Sequence, residues 1–250
     1  MSGRTVAIIQ ARMTSTRLPG KVLKPLAGAP VLNRVIERVR RIEGVEVVCV
    51  ATPRGSAHDP IAELVGSLDG VALARGPEED VLRRFVIAAE LTGAGTVVRI
   101  TGDCPLVDSR ASAAVISAYR AGGVPYARTS FDSGYPLGFD TEVVTVEALR
   151  TADREAVDPY EREHVTPFIW RRPERFPAVH VDYRPSRRSW RLVVDTAEDY
   201  ELASRIYDTL YAADPAFGLA ELESLFAVQP ELLKINAAVP GTPYIGVPGN

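Results

Sequence analysis

The stretch TVAIIQARMTSTRLPGK, residues 5–21, decides how the rest of the chain is read. It begins as an apolar, β-branched run of the composition that fills buried strands. It then passes at once into a polar segment carrying Arg12, Arg17 and Lys21, with Pro19 and Gly20 just before the lysine. In parallel α/β sheets, ligands bind in the crevice beyond the carboxyl ends of the strands. A cationic, glycine-containing turn at that position needs a local reason, because the chain as a whole has a net charge of only -3.

The sequence downstream agrees with a parallel sheet. Residues 29–42, APVLNRVIERVRRI, place apolar side chains at helical spacing. VEVVCVAT (45–52) reads as a strand, DPIAELVGSL (59–68) as a helix with Pro60 in its first turn, and VALARG (71–76) as a short strand. EEDVLRRFVIAAELTG (78–93) is a helix closed by Gly93. GTVVRITGD (95–103) is a strand running into a polar turn, and RASAAVISAYRAGG (110–123) is a helix ending in a glycine pair. Strand–helix alternation of this kind predicts βαβ units and a three-layer α/β fold with a mostly parallel sheet, Rossmann-like in its nucleotide-binding half. The cationic turn and the TGD turn both follow strands, so they share one edge.

After residue 123 the alternation breaks. Residues 124–190 are rich in Pro, Gly, Tyr and Arg, with short strand candidates at FDTEVVT (139–145) and AVHVDY (178–183). They read as an arm inserted on the main sheet. Residues 191–211 restore strand, turn and helix, and 219–232 predict a final helix. The expected organisation is one domain over residues 1–240 followed by a disordered Pro- and Gly-containing tail, 241–250.

Composition excludes several classes. There is no global basic field for nucleic acid. Cys49 and Cys104 are the only cysteines and lie too far apart in sequence for a disulfide framework or a zinc motif, which favours a reducing cytoplasm. No apolar run approaches the length of a membrane span, and the start of the chain does not read as a signal peptide.

The cationic turn is not a Walker A loop: Ser15 stands where the first glycine belongs, and Val22 follows the lysine. No G-x-G-x-x-G is present either. Two readings remain. One is a solvated loop that adds little to stability. The other is a phosphate cradle, in which the arginines make bidentate contacts, Lys21 acts as a point charge, and backbone N–H groups of the turn and the next helix face the anion. Three cations within ten residues at a ligand-binding edge favour the cradle. A polyphosphate also calls for magnesium, held by one or two carboxylates plus phosphate oxygens. Asp103 and Asp195 each end an apolar, strand-like run. Asp195, in DTAED, also reads as a helix N-cap, and Asp103 as a turn residue before Pro105. Asp108 reads as the cap of the following helix.

Residues 8–32, IIQARMTSTRLPGKVLKPLAGAPVL, together with GPEEDVLRRFVIAA, VVRITGDCPLVD, PLGFDTEVVTVEAL, EREHVTPFIW, RLVVDTAEDYELASRIY and PELLKIN, carry a family resemblance over nearly the whole chain. The sequence resembles the cytidylyltransferases that make CMP-activated sugar acids, including the CMP-sialic acid and CMP-Kdo synthetases, and most closely their SpsF-like spore-coat polysaccharide branch. The resemblance implies a GT-A-like nucleotidyltransferase fold and a CTP-dependent reaction that releases pyrophosphate and forms a CMP conjugate of a sugar acid or phosphonate. It implies that Arg12, Arg17 and Lys21 bind the CTP phosphates and that Asp103 and Asp195 bind magnesium, with Arg12, Lys21, Asp103 and Asp195 carrying catalysis. Arg75 and Asp80 are expected near the nucleotide, although Asp80 could equally pair with Arg83 or Arg84. The 124–190 arm is expected to shape the acceptor pocket and to pair subunits into a homodimer. Arg128, Tyr135, Arg184, Arg187 and Arg188 are candidate anion holders.

His164 lies in a shared motif without an assigned role. His58 and His180 read as surface or packing residues, and Trp170 and Trp190 as core or interface. Two rival functions stay open: a nucleotide-sugar glycosyltransferase, which usually carries an Asp-x-Asp triplet where this chain has Asp103-Cys104-Pro105, and a non-catalytic nucleotide-binding protein.

Overall fold

The computed structural model describes residues 3–129 and 132–240, so the expected tail lies outside the described residues. The chain opens with β1 (Arg4–Gln10), a hairpin of β2 (Pro25–Leu26) and β3 (Ala29–Pro30), and α1 (Val31–Val39). It continues through β4 (Val47–Pro53), α2 (Asp59–Gly66), β5 (Val71–Gly76), α3 (Val81–Thr92), β6 (Ala94–Thr101) and α4 (Ser109–Gly122). Then come β7 (Tyr126–Thr129), β8 (Glu142–Thr145), α5 (Val146–Glu155), α6 (Pro159–His164), α7 (Pro167–Trp170) and β9 (Ala178–Val181). The last helices are α8 (Ala197–Leu210) and α9 (Leu219–Val228).

Seven strands form one sheet in the order β5-β4-β1-β6-β8-β7-β9. β5, β4, β1 and β6 are parallel, and β8 pairs antiparallel with both β6 and β7. β7 and β9 are parallel, so β8 is the one reversed strand of the sheet. The strands of the parallel half are continuous apolar runs because helices cover both faces. On one face Val6, Ile8 and Val97 pack under Leu82 and Phe85 of α3 and Leu149 of α5. On the other, Ala7, Ile9 and Val98 pack under Val35 and Ile36 of α1 and Val115 of α4. A third core joins Leu192 and Val194 to Leu202 and Ile206 of α8 and Leu222 of α9.

The structure modifies three expectations. The cationic turn does not lead directly into an α-helix: a three-residue 3-10 turn, Lys21–Leu23, and the β2–β3 hairpin intervene, and the first N–H of α1, that of Val31, donates to Lys24 O at 2.9 Å. Residues 124–190 do not merely lie on the sheet; they supply three of its strands. RLVVD (191–195) is extended but forms no strand. Both edges of β6 are taken, by β1 and β8, and the segment is left with a single bridge between Arg191 and Leu137.

Candidate active site

The loop after β1 folds back on itself. Ala11 N–H still follows the sheet, donating to Ala51 O at 3.1 Å. Gly20 then takes φ 66, a left-handed conformation that a side chain would disfavour, and its N–H donates to Met13 O at 3.2 Å. The reversal turns Lys21 inward, where it is only 9% exposed. The competing reading of a solvated loop therefore fails at Lys21. A second tether comes from His58, which is buried and whose Nδ1 accepts the Met13 N–H at 3.2 Å. That bond assigns the ring proton to Nε2, which faces Glu78 Oε2 at 3.3 Å. Glu78 Oε1 also accepts from Thr14 Oγ1 at 2.5 Å. The Thr14 hydroxyl and then His58 hold the Glu78 carboxyl below its usual range. His58 is thus a packing residue that braces the loop.

The carboxylates arrive by different routes. β6 ends at Thr101, and Gly102 N–H donates to Gln10 O at 2.8 Å. A Cβ on Gly102 would lie 2.8 Å from that same oxygen, so only glycine lets the TGD turn close against the exit of β1. Asp103 is delivered beside the loop. Asp195 comes from the extended segment, where Val194 N–H donates to Asp103 O at 2.8 Å. Thr196 is the N-cap of α8, with Asp199 completing a capping box. Asp195 precedes the cap, so the competing cap role belongs to its neighbour.

Lys21 Nζ joins the two, 2.6 Å from Asp103 Oδ2 and 2.5 Å from Asp195 Oδ1. Arg17 and Arg191 reach Asp195 Oδ2 at 2.8 and 3.3 Å. Burial works to lower the Lys21 pKa, but the two carboxylates outweigh it and the ammonium is held above its usual range. Burial likewise works to raise the Asp103 pKa, and Lys21 outweighs it, leaving the carboxyl below its usual range. Cys104 is buried, and burial together with Asp103 pushes its thiol well up, so it offers no nucleophile. Among the described residues, no group of three or more His, Cys, Asp and Glu side chains is placed to hold a metal ion. The donor set is two carboxylate oxygens within reach of one point. That fits a magnesium ion which takes its other ligands from substrate phosphates and water.

The remaining candidates are spread more widely. Arg12 is exposed and acts through space on Glu78 and Arg84. Arg75, at the end of β5, bonds Pro53 O at 3.1 Å, Gly55 O at 2.7 Å and Asp59 Oδ1 at 2.7 Å, shaping the turn after β4. Asp80 caps α3 through the Arg83 N–H at 2.9 Å and pairs with Arg162, not with the side chains of Arg83 or Arg84. Asp108 caps α4, as expected. Arg187 is paired with Glu223 at 2.7 Å, Arg188 faces Asp132 at 3.5 Å, and Arg184 donates to Tyr183 O at 3.1 Å. Tyr135 stacks on Tyr183, and Trp190 packs edge-on against Phe226.

A second charged cluster was foreseen only at Arg128, one of the candidate anion holders; Arg99 and Glu142 were not. Arg99 of β6, Glu142 of β8 and Arg128 of β7 are register partners and form one row across the sheet. Glu142 accepts from Arg99 at 2.6 Å and from Thr166 at 2.7 Å, bonds Tyr126, and lies 3.6 Å from Arg128. Burial pushes the Glu142 pKa up, but Arg99 and then Arg128 outweigh it, and the carboxyl is held below its usual range. The row opens on a cavity of about 60 Å³ lined by Arg99, Arg128, Asp140, His164 and Trp170. The buried Arg99 Nε has no hydrogen-bond partner among the described residues. The available signal was a charge inside an otherwise apolar strand, TVVRIT and again TEVVT.

Comparison with known proteins agrees with this geometry. The family model described as cytidylyltransferase matches residues 6–226. The spore coat polysaccharide biosynthesis protein SpsF of Bacillus subtilis is 34% identical over 231 residues, 90% of this chain and 94% of that protein. A 3-deoxy-manno-octulosonate cytidylyltransferase of an Anaeromyxobacter species is 40% identical over 117 residues, 46% of this chain and 47% of that one. The structure of a cytidylyltransferase from Leptospira borgpetersenii superposes with a TM-score of 0.86 at 30% identity, covering 96% of this chain and 99% of that chain. No helix among the described residues is long and apolar enough to cross a membrane.

Proposed function

Because the chain belongs to the cytidylyltransferase family, we propose that it transfers CMP from CTP to an anionic acceptor, a sugar acid or phosphonate, and releases pyrophosphate. The observation that carries this reading is Lys21 Nζ seated between Asp103 and Asp195 at the mouth of the cationic loop. An acceptor oxygen gives its proton up to solvent and forms a bond to the α-phosphorus as the bond from that phosphorus to the α,β-bridging oxygen breaks, and pyrophosphate leaves with the bridging oxygen. Lys21 leaves the carboxylates for the β- and γ-phosphates, and Arg17 and Arg12 approach from the loop. Asp103 and Asp195 are then free to hold magnesium. When bound, that ion neutralises phosphate charge and lowers the pKa of an acceptor oxygen. Most of the rate comes from positioning and preorganised charge.

The cavity beside Arg99 and Arg128 supports an acidic acceptor. It has room for a carboxylate or phosphonate group but not for a whole sugar, and such a group would satisfy the Arg99 Nε–H. Of the candidate anion holders this favours Arg128 over the 184–188 arginines, and it adds Arg99. We place the reaction in a reducing cytoplasm, in keeping with two buried free thiols. We assign the 124–190 segment to acceptor binding and homodimer formation. Light scattering at micromolar concentration checks the assembly.

The deciding experiment is a panel of purified acceptors with CTP, read by pyrophosphate release. Acidic acceptors should be active, and Arg99→Lys should raise the acceptor KM more than the CTP KM. A neutral sugar as the best acceptor would overturn the acidic assignment. Release of pyrophosphate from none of the panel, despite CTP binding, would favour a purely binding role.

A further inference from the structure

The motif PELLKIN, residues 230–236, takes no part in the chemistry above, yet its last side chain is buried and fully committed. Asn236 is 3% exposed. Its Nδ2 donates to Asp199 Oδ1 at 2.8 Å and to Arg191 O at 2.9 Å. Asp199 is 1% exposed and receives Arg191 through Nε at 2.8 Å and a terminal nitrogen at 2.9 Å. Its Oδ2 also accepts the backbone N–H groups of Asp195 and Thr196, each at 3.1 Å. Arg191 reaches back to Asp195 Oδ2 at 3.3 Å. Every one of these bonds ends on Asp195 or on a group that holds it.

We propose that Asn236 is a positioning residue for Asp195, acting through Asp199 on its backbone and through Arg191 on its carboxylate; the proposal rests on the reading of Asp195 as a metal ligand. The physical need is plain. Asp195 sits on a segment with no strand ladder, so side-chain hydrogen bonds must supply the rigidity that β6 gives to Asp103. Groups that orient metal ligands typically change metal affinity or activity 10- to 100-fold when removed. The network is also closed: Asn236 has two donors on one amide nitrogen and uses both.

The test uses the whole chain: Mn2+ binding is read with CTP and no acceptor, from free Mn2+ by electron paramagnetic resonance, and rates are read separately with CTP and an acceptor found active in the panel. Asn236→Ala should weaken Mn2+ binding about tenfold and raise the Mn2+ concentration for half-maximal rate in parallel, while the CTP KM changes little. Asn236→Asp should be worse, because its carboxylate would face that of Asp199. If Asn236→Ala does not accumulate in folded form, Asn236→Ser, which can keep one of the two bonds, should fall between it and the wild type. Leu149→Val, a change in a different core, should lower the melting temperature without moving Mn2+ affinity. A folded Asn236→Ala that binds Mn2+ as the wild type does, and merely melts lower, would overturn the proposal. A wild type that binds no Mn2+ with CTP would instead overturn the metal reading beneath it, so the two failures are distinct.

Discussion

Two clusters of buried charge are built on β6 and the turn that follows it, and they are near mirror images. At the turn, one cation, Lys21, stands between two carboxylates, Asp103 and Asp195. In the strand, one carboxylate, Glu142, stands between two guanidinium groups, Arg99 and Arg128. The first is partly open: the side chains are 11%, 26% and 17% exposed, and its central charge sits on a flexible four-carbon stem. In the second the centre is shut in: Glu142 and Arg128 are 5% and 4% exposed, and Glu142 is a short side chain wired to a tyrosine and a threonine as well, while Arg99, at 15%, borders the cavity. In the proposed reaction the difference is one of use: a central charge that can leave, as Lys21 can, frees its flanking carboxylates for a ligand, whereas one that cannot, Glu142, fixes its flanking arginines in place beside the cavity.

The largest effect should come from the open cluster. Asp103→Asn and Asp195→Asn should each reduce turnover about 10²- to 10³-fold, the loss typical of one preorganised charge contact, with melting temperatures close to wild type. If either variant loses stability in proportion to activity, the cluster is structural and the contrast collapses.

Glu142→Gln should do the opposite. Removing one member of a buried ion pair costs about 3–5 kcal/mol, which in a domain of this size lowers the melting temperature by roughly 10 °C. The sign with pH follows from the direction of its shift. The folded carboxyl is held below its ordinary range, so its contribution is full above the ordinary glutamate range and fades as pH falls through the lower folded value. Melting curves of wild type and Glu142→Gln should therefore be well separated at neutral pH and converge in acid. A gap that widens on acidification would reverse the assignment.

Lys21→Ala tests whether the central charge is displaceable. Activity should fall about a hundredfold. The melting temperature should also fall by a few degrees, because two carboxylates are left facing each other, and millimolar Mg2+ should recover it. Stability that ignores Mg2+ would sharpen the contrast in the wrong direction, making the lysine a fixed strut. The smallest effect belongs to the rim. Arg17 is 47% exposed, and its pair with Asp195 is worth less than about 1 kcal/mol to stability. Arg17→Ala should raise the CTP KM several-fold and leave the melting curve unchanged.

How much of this was legible in the chain depends on how far each contact reaches. β1, β4, β5 and β6 are apolar runs followed by helices of clear period, two of them closed by Gly93 and Gly123, and that periodicity shows locally. Lys21 and Asp103 could be found because a strand end is itself a local signal. Asp195 was found as a residue, but its strand was not there: RLVV has strand composition, and the edge it needed was already occupied by β8. The Arg99–Glu142 pair spans 43 positions and the Asn236–Asp199 contact 37, with nothing in either neighbourhood to name the partner. Arg75 and Asp80 carry charges that invite a ligand and spend them on the turn after β4 and on the cap of α3.

The order of parts along the chain has one more consequence. All four parallel strands of the β5-β4-β1-β6 half are complete once residue 101 has been made, and two residues later Lys21 and Asp103 are both present. Asp195 is not translated until 92 residues later. A nascent chain, or a product cut short anywhere in that interval, therefore holds the lysine and one carboxylate but lacks the second. On the proposed reading of Asp195 as a metal ligand, such a chain should turn over no CTP even though most of its sheet has been synthesised.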